Sequence, residues 1–209
     1  TALADMLKEH EQVSLVCDDI YEHIYWGQDA LENMLQVAPQ LRERTVLVNG
    51  VSKAYAMTGW RIGYAAGPAH VVTAMRKVQS QSTSNPCSIS QAAAVAALNG
   101  PQDGIVAMTE AFRQRHDFVV HQLNAMDGVS CLPADGAFYA LPSFEAVIER
   151  HPSAADDVEL AGILLEEAEV ALVPGTAFGI PGHLRLSYAT SMDNLRAAMD
   201  RLADFVAGC

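Results

Sequence analysis

The sequence has few basic residues and few aromatic ones. Its 209 residues include 13 Lys and Arg against 25 Asp and Glu, so the formal net charge is −12, and only 7% are aromatic. Nucleic acid repels a protein this acidic unless the protein carries a local basic patch. The densest basic group here is the pair Arg42 and Arg44. We therefore expect no nucleic-acid partner.

Long apolar runs and metal-ligand spacings are also lacking. The longest uninterrupted apolar stretch, residues 92–98, is far shorter than the roughly 20 residues that span a bilayer. The four cysteines, Cys17, Cys87, Cys131 and Cys209, are widely spaced and include no Cys-x-x-Cys pair. We expect no membrane partner, no metal site, and reduced thiols in a cytoplasmic protein.

Short apolar runs alternate with helical patterns over the first hundred residues, which is typical of an α/β layer. The pattern predicts strands at residues 14–17, 45–48 and 62–68, and helices at 3–10, 69–80 and 87–98. Asn99-Gly100-Pro101 then gives the clearest boundary signal in the sequence. It divides the chain into predicted domains 1–100 and 101–209.

The second predicted domain opens with a long amphipathic helix. Apolar residues recur at helical spacing from Ile105 to Met126, and Asp127-Gly128 ends the pattern. Short strands are predicted at 129–131, 137–141, 171–173 and 184–188, and helices near 156–168 and 192–206. This order indicates a smaller α+β unit. Within it we expect Tyr139 to lie in the core, and His116 and His121 to be solvated.

Polar side chains follow two of the predicted strands where each strand ends. Asp18 to Tyr21 follow the first strand, and Ser52 and Lys53 follow the second. Ligands of open α/β sheets bind at the carboxyl ends of strands. Taken singly, however, a loop lysine is usually a solvated charge and an aspartate at a strand end usually caps a turn.

One long segment favours a ligand-binding site at these strand ends over a solvated lysine and a capping aspartate. Residues 48–64, Val-Asn-Gly-Val-Ser-Lys-Ala-Tyr-Ala-Met-Thr-Gly-Trp-Arg-Ile-Gly-Tyr, closely resemble the lysine signature of pyridoxal-phosphate (PLP)-dependent aminotransferases of fold type I, class I/II, the aspartate-aminotransferase-like group. Five further segments resemble this family in the right order. They are residues 18–22, 88–93, 135–139, 173–179 and 184–188.

The resemblance implies an α/β fold, with the C-terminal half of the large, mostly parallel cofactor-binding domain followed by a smaller α+β domain. It makes Lys53 the catalytic residue, which holds PLP as a Schiff base and shuttles a proton between the substrate Cα and the cofactor. Asp18 would face the pyridine nitrogen and keep it protonated. Tyr21 would donate a hydrogen bond to the phenolic oxygen of the ring.

Two further cofactor contacts are implied for the phosphate group. Arg61, eight residues after the lysine, matches the arginine that binds the phosphate with paired hydrogen bonds. Ser52 is a second candidate for a phosphate contact. Some family members carry a phosphate-binding hydroxyl three residues before the lysine, where this sequence has Gly50. That contact is therefore missing here or supplied elsewhere.

Arg185 is the candidate for substrate binding. It lies in an alternating strand, which puts it on one face with His183 and Ser187 and puts Leu184 and Leu186 on the other. The resemblance implies that Arg185 binds the α-carboxylate of the substrate and orients its Cα–H bond. Without the resemblance, it would be interpreted as an exposed sheet arginine.

The function implied is transamination between an L-amino acid and a 2-oxo acid, by a full-length homodimer. The match begins in the middle of the family's large domain, and the sequence lacks an initiator Met and a signal peptide. We therefore expect these 209 residues to be an inactive C-terminal half unless the missing half is present. Two alternatives stay open: a PLP-dependent C–S lyase, or a cofactor-sensing domain of a transcription regulator. The coding region upstream of Thr1 would separate the regulator from the enzymes.

Overall fold

The structure, a computed structural model, describes residues 2–209, so Thr1 lies outside the described residues. The chain divides into two compact units, one reaching to Ala107 and the other running from Met108 to Cys209. The division falls within a long helix, and the functional domains 1–100 and 101–209 remain a prediction.

The first unit contains a three-stranded sheet. Its strands are β1 (Leu15–Asp18), β2 (Thr45–Gly50) and β3 (Gly63–Ala66), in the order β1-β2-β3. Strands β1 and β2 are parallel, whereas β2 and β3 are antiparallel. The third strand reverses direction because residues 51–62 contain no crossover helix that could return the chain to the far edge.

The helices of the first unit are α1 (Ala2–Lys8), α2 (Met34–Val37), α3 (Ala69–Ser82) and α4 (Ser88–Asn99). One apolar cluster joins Ala4 and Leu7 of α1 to Ala38 and Leu41. The guanidinium of Arg44 fixes the end of α1, since it donates to the carbonyls of Leu7, His10 and Val13.

The second unit surrounds a small antiparallel sheet. Its strands are β4 (Tyr139–Ala140), β5 (Val173–Pro174) and β6 (Leu184–Ser187), in the order β4-β6-β5. Its helices are α5 (Asp103–Asn124, which begins in the first unit), α6 (Glu145–Arg150), α7 (Asp157–Glu167) and α8 (Met192–Gly208). The core combines the apolar sides of these elements, including the fully buried Leu123, Leu164, Leu184, Tyr188 and Leu202.

Two predictions for the second unit are wrong. Residues 129–131 form no strand, because Ser130 makes only an isolated bridge to Ser143. His116 is buried rather than solvated. Its Nε2 accepts a hydrogen bond from the backbone N–H of Ala134 at 2.9 Å, and its Nδ1 lies 2.9 Å from Asp117 Oδ1. These contacts fit the tautomer with its proton on Nδ1, and they satisfy the polar ring inside the core.

The four cysteines are all free thiols, and Cys131 is the buried one. No cluster of three or more His, Cys, Asp or Glu able to hold a metal ion occurs among residues 2–209. Over the same residues, every helix is too short or too polar to cross a membrane.

Candidate active site

Three segments that carry candidate residues meet at one edge of the first sheet. Asp18 is the last residue of β1, and Lys53 lies in the loop that follows β2. These two strands are parallel, so their carboxyl ends share an edge. Strand β3 is antiparallel, and its first residue, Gly63, pairs with Gly50 at the end of β2. Arg61, two residues before Gly63, therefore lies at the same edge of the sheet as the ends of β1 and β2.

Backbone hydrogen bonds and buried apolar residues shape the loop that presents Lys53. The N–H of Val51 donates to the carbonyl of Ile62 at 3.4 Å, and the N–H of Met57 donates to the carbonyl of Val51 at 3.4 Å. Val51 is fully buried and Ala54 is nearly so, while Lys53 between them is half-buried. The loop is thus anchored in the core on both sides of the lysine.

Lys53 and Tyr21 are neighbours at this edge. The Nζ atom of Lys53 lies 5.6 Å from the centroid of the Tyr21 ring. Asp18 is exposed, and its carboxylate accepts a hydrogen bond from the N–H of Ile20 at 3.3 Å. Burial raises the pKa of the adjacent Asp19, and the negative charges of Glu22 and Asp18 add to that rise. The edge therefore combines an amine, a phenol and two carboxylates.

Arg61 is placed by a left-handed turn. It ends the 3₁₀ helix Thr58–Trp60 with a φ of 54°, a conformation that costs a residue other than glycine about 1–2 kcal/mol. Its guanidinium is exposed and donates to the carbonyl of Thr58 at 3.1 Å. Ser52, the second predicted phosphate contact, is half-buried beside Lys53.

The structure gives a physical reason for Gly50. A Cβ atom at this position would lie 2.9 Å from the carbonyl oxygen of Ile62 and 3.3 Å from the Cα of Gly63. No side chain, and therefore no hydroxyl, fits there without a shift of β3. The close approach of β3 to β2 thus excludes the phosphate-binding hydroxyl that some family members carry at this position.

Arg185 belongs to the second unit and lies on the central strand, β6. The predicted alternation is confirmed, because Leu184 and Leu186 are buried while Arg185 is half-buried and Ser187 exposed. Tyr139 is half-buried rather than in the core, and its ring centroid lies 4.6 Å from Arg185 Cζ.

Sequence reasoning missed two residues of the second unit. Phe178 ends the 3₁₀ helix Gly175–Phe178, and its ring centroid lies 4.4 Å from Arg185 Cζ. Asp157, only 1% exposed, accepts three hydrogen bonds from the same loop. Phe178 lies in the segment 173–179 that resembles the family, but nothing in that segment points to its ring as a neighbour of Arg185. Asp157 begins a helix, where acidic residues are common, so its position gives no signal of a contact with a distant loop.

The architecture of both units is that of the α/β aminotransferase fold. The crystal structure of an aspartate aminotransferase from Rhizobium meliloti matches 98% of this chain with a TM-score of 0.93 and 49% sequence identity, using 52% of that chain. An aromatic aminotransferase from Pyrococcus horikoshii matches 99% of this chain with a TM-score of 0.89 and 32% identity, using 54% of that chain.

The chain belongs to the aminotransferase class I and II family, whose model matches residues 1–202. Among curated relatives, an aspartate/prephenate aminotransferase of Nitrosomonas europaea is 50% identical over 210 aligned positions, which cover 98% of this chain and 53% of the relative. The chain therefore spans about half the length of the relatives that it matches.

Proposed function

We propose that these residues are part of a PLP-dependent aminotransferase that moves an amino group between an L-amino acid and a 2-oxo acid. The observation that carries this proposal is the meeting of Lys53, Tyr21, Asp18 and Arg61 at one sheet edge. Membership of the aminotransferase class I and II family supports it. So do the names of the similar proteins.

The chemistry of these side chains fits PLP group by group. An amine can condense with its aldehyde, a carboxylate can pair with its protonated pyridine nitrogen, and a phenol can donate to its phenolic oxygen. A guanidinium can bind its phosphate dianion through paired hydrogen bonds. Lys53, Asp18, Tyr21 and Arg61 offer these four groups in turn, and Ser52 adds a hydroxyl next to the lysine.

PLP, when bound, supplies an electron sink that stabilises negative charge at the substrate Cα. Lys53 would hold the cofactor covalently, and once the substrate amine displaces it, the free amine would carry the proton to and from Cα. Asp18 would keep a positive charge on the ring nitrogen. The ring of Tyr21 is adjacent to the lysine. Its hydroxyl would fix the orientation of the pyridine ring of PLP relative to the Nζ atom of Lys53.

Arg185 would bind the α-carboxylate of the amino acid and of the oxo acid. Both substrates carry this group, so one arginine serves both half-reactions. Aspartate is the substrate we propose, because several similar proteins are named aspartate aminotransferases. We also propose a cytoplasmic homodimer for the complete protein, and sedimentation analysis tests the dimer.

Substitution of the lysine tests the function directly. In the complete protein that contains these residues, Lys53→Ala should abolish the visible absorbance of bound PLP and its fixation by borohydride. It should also lower kcat by a factor of about 10²–10⁴, the range for loss of a general acid–base. Lys77→Ala, which removes an exposed lysine from α3, is the matched control and should change neither property.

The outcomes separate the proposal from its alternatives. A Lys53→Ala variant that still fixes PLP after reduction would show that another residue holds the cofactor. Release of ammonia and a thiol from cysteine conjugates, without amino transfer, would identify a lyase. Binding of PLP with no turnover would favour a sensing domain.

A further inference from the structure

The guanidinium of Arg185 has an unusual environment for a half-buried arginine. It makes no hydrogen bond and no ion pair within residues 2–209, and its described contacts are with two aromatic rings. By contrast, the guanidinium of Arg150, which is also half-buried, bonds to Asp127 and to the carbonyl of Val206. The N–H groups of Arg185 are therefore available to a ligand.

The two rings reach Arg185 from opposite flanks of strand β6. Tyr139 belongs to β4, where it pairs with Ser187, the next residue on the same face as Arg185. Phe178 lies in the segment that follows β5, the strand on the other flank, whose Val173 pairs with Arg185. The ring centroids lie 4.6 Å and 4.4 Å from Arg185 Cζ, within the range of cation–π contact.

Backbone contacts hold the segment that carries Phe178 in place. The N–H of Gly175 donates to the carbonyl of His183 at 2.7 Å, and the N–H of Ile180 donates to the carbonyl of Gly175 at 3.1 Å. A Cβ atom at Gly175 would lie 2.3 Å from the Ile180 carbonyl oxygen, so only glycine permits this tight fold. Asp157 binds the same segment through the N–H and hydroxyl of Thr176.

We propose that Tyr139 and Phe178 are positioning residues that hold the Arg185 guanidinium ready for a carboxylate. An aromatic ring attracts the cation over its face but offers no strong acceptor to the N–H groups, which lie in the guanidinium plane. These groups stay free to form the paired hydrogen bonds that a carboxylate accepts. Because the rings restrict the side chain before the ligand arrives, less rotamer entropy is lost on binding.

This inference rests on the proposed function, since it assigns the substrate carboxylate as the ligand of Arg185. It predicts that the rings act on substrate affinity and leave cofactor attachment unchanged. The pair therefore affects KM for both substrates, which share the α-carboxylate, while the absorbance of bound PLP remains that of the parent protein.

The test compares ring-removing and ring-keeping variants of the complete protein. Phe178→Leu and Tyr139→Leu remove one ring each. With aspartate as the amino acid and 2-oxoglutarate as the 2-oxo acid used in the assay, each variant should raise KM for both about threefold to tenfold, with kcat changed less than KM. Tyr139→Phe keeps the ring and should stay within about twofold of the parent. Phe205→Leu is the control, because it removes a ring that stacks on His151 in the same unit.

Folding of the variants is checked by the absorbance of bound PLP and by circular dichroism. Phe178 is 49% exposed, so its replacement leaves no buried cavity. Unchanged KM values in both leucine variants would overturn the inference. Equal damage from Tyr139→Phe and Tyr139→Leu would also overturn it, since the hydroxyl rather than the ring would then matter. A parent protein that transfers no amino group would refute the proposed function instead.

Discussion

Asp157 offers the sharpest test of how the second unit is held together. It is the first residue of α7 and is only 1% exposed. Its Oδ2 accepts from the N–H of Thr176 at 2.8 Å, and its Oδ1 accepts from the Thr176 hydroxyl at 2.7 Å and the N–H of Gly182 at 3.3 Å. One carboxylate therefore joins the start of a helix to the loop between β5 and β6.

The free energy involved follows from these three bonds. A hydrogen bond to a charged group contributes about 1.5–3 kcal/mol to stability. Thr176 is exposed, however, so water can replace the carboxylate at its N–H and hydroxyl when Asp157 is removed, and the loss per bond is smaller. Counting about 1 kcal/mol for each bond, Asp157→Ala should lower the free energy of unfolding by about 3 kcal/mol. Asp157→Asn should cost about half as much, because its amide can accept on one side only and sets an N–H₂ against a backbone N–H.

The stabilisation by the Asp157 carboxylate should decrease at low pH. Burial opposes ionisation of Asp157, but the hydrogen bonds from Thr176 and Gly182 outweigh it and lower the pKa below its usual value of 3.8. The contribution of this carboxylate is therefore fully present above that value and is lost as the pH falls through the lowered pKa of the folded state. The stability gap between the parent and Asp157→Asn should shrink as the pH is lowered from about 7 to about 3.

Urea unfolding followed by circular dichroism measures both effects. The control is Asp200→Asn, which removes the same charge from an exposed site on α8 and should change stability by less than about 0.5 kcal/mol. The reasoning fails if Asp157→Ala and Asp200→Asn are equally stable. It also fails if the gap for Asp157→Asn is the same at both ends of the pH range.

Two further substitutions probe single contacts. The buried Tyr188 hydroxyl has no hydrogen-bond partner in the described part of the chain, and burial raises its pKa. Tyr188→Phe should therefore leave the free energy of unfolding unchanged or raise it by up to about 1 kcal/mol. A lower free energy of unfolding in urea titration would show that the hydroxyl is hydrogen-bonded. Arg44→Met removes the donor to three carbonyls around the end of α1. It should cost about 1–2 kcal/mol and reduce hydrogen-exchange protection in α1 but not in α8.

The elements predicted well from sequence are those long enough to show a period. Helices α3, α4, α5, α7 and α8 each extend over several turns and match the predicted positions closely. The sequence does not predict the short helices α2 and α6, because one or two turns contain too few residues to show a periodic apolar face.

Contacts between distant segments account for the other differences. His116 has the same local spacing as a solvated histidine, yet the N–H of Ala134, 18 residues away, satisfies its ring inside the core. The direction of β3 likewise depends on its pairing with β2, on the side of β2 that β1 does not occupy. Local pattern contains no information of this kind.

The candidate site divides in the same way. The sequence places Lys53, Asp18 and Tyr21 at a sheet edge, since each follows a predicted apolar strand and the family resemblance implies a mostly parallel sheet. The adjacency of Arg61 depends on the antiparallel pairing of Gly50 with Gly63, which the sequence pattern does not predict. The face of Arg185 follows from period-two alternation, but its two ring neighbours are brought in by the flanking strands.

The Asp157 carboxylate acts as a tether on the loop between β5 and β6, and that loop carries one of the two rings beside Arg185. Asp157 fixes Thr176, and Phe178 is two residues further along the same 3₁₀ helix. A looser loop would let the Phe178 ring leave Arg185, so Asp157→Asn should raise KM for both substrates in the direction of Phe178→Leu, while Asp200→Asn should not. If Phe178→Leu is then added to Asp157→Asn, the two effects on KM should combine to less than their product, because both act through the same contact. Fully multiplicative effects would show that the tether stabilises the unit without positioning the ring.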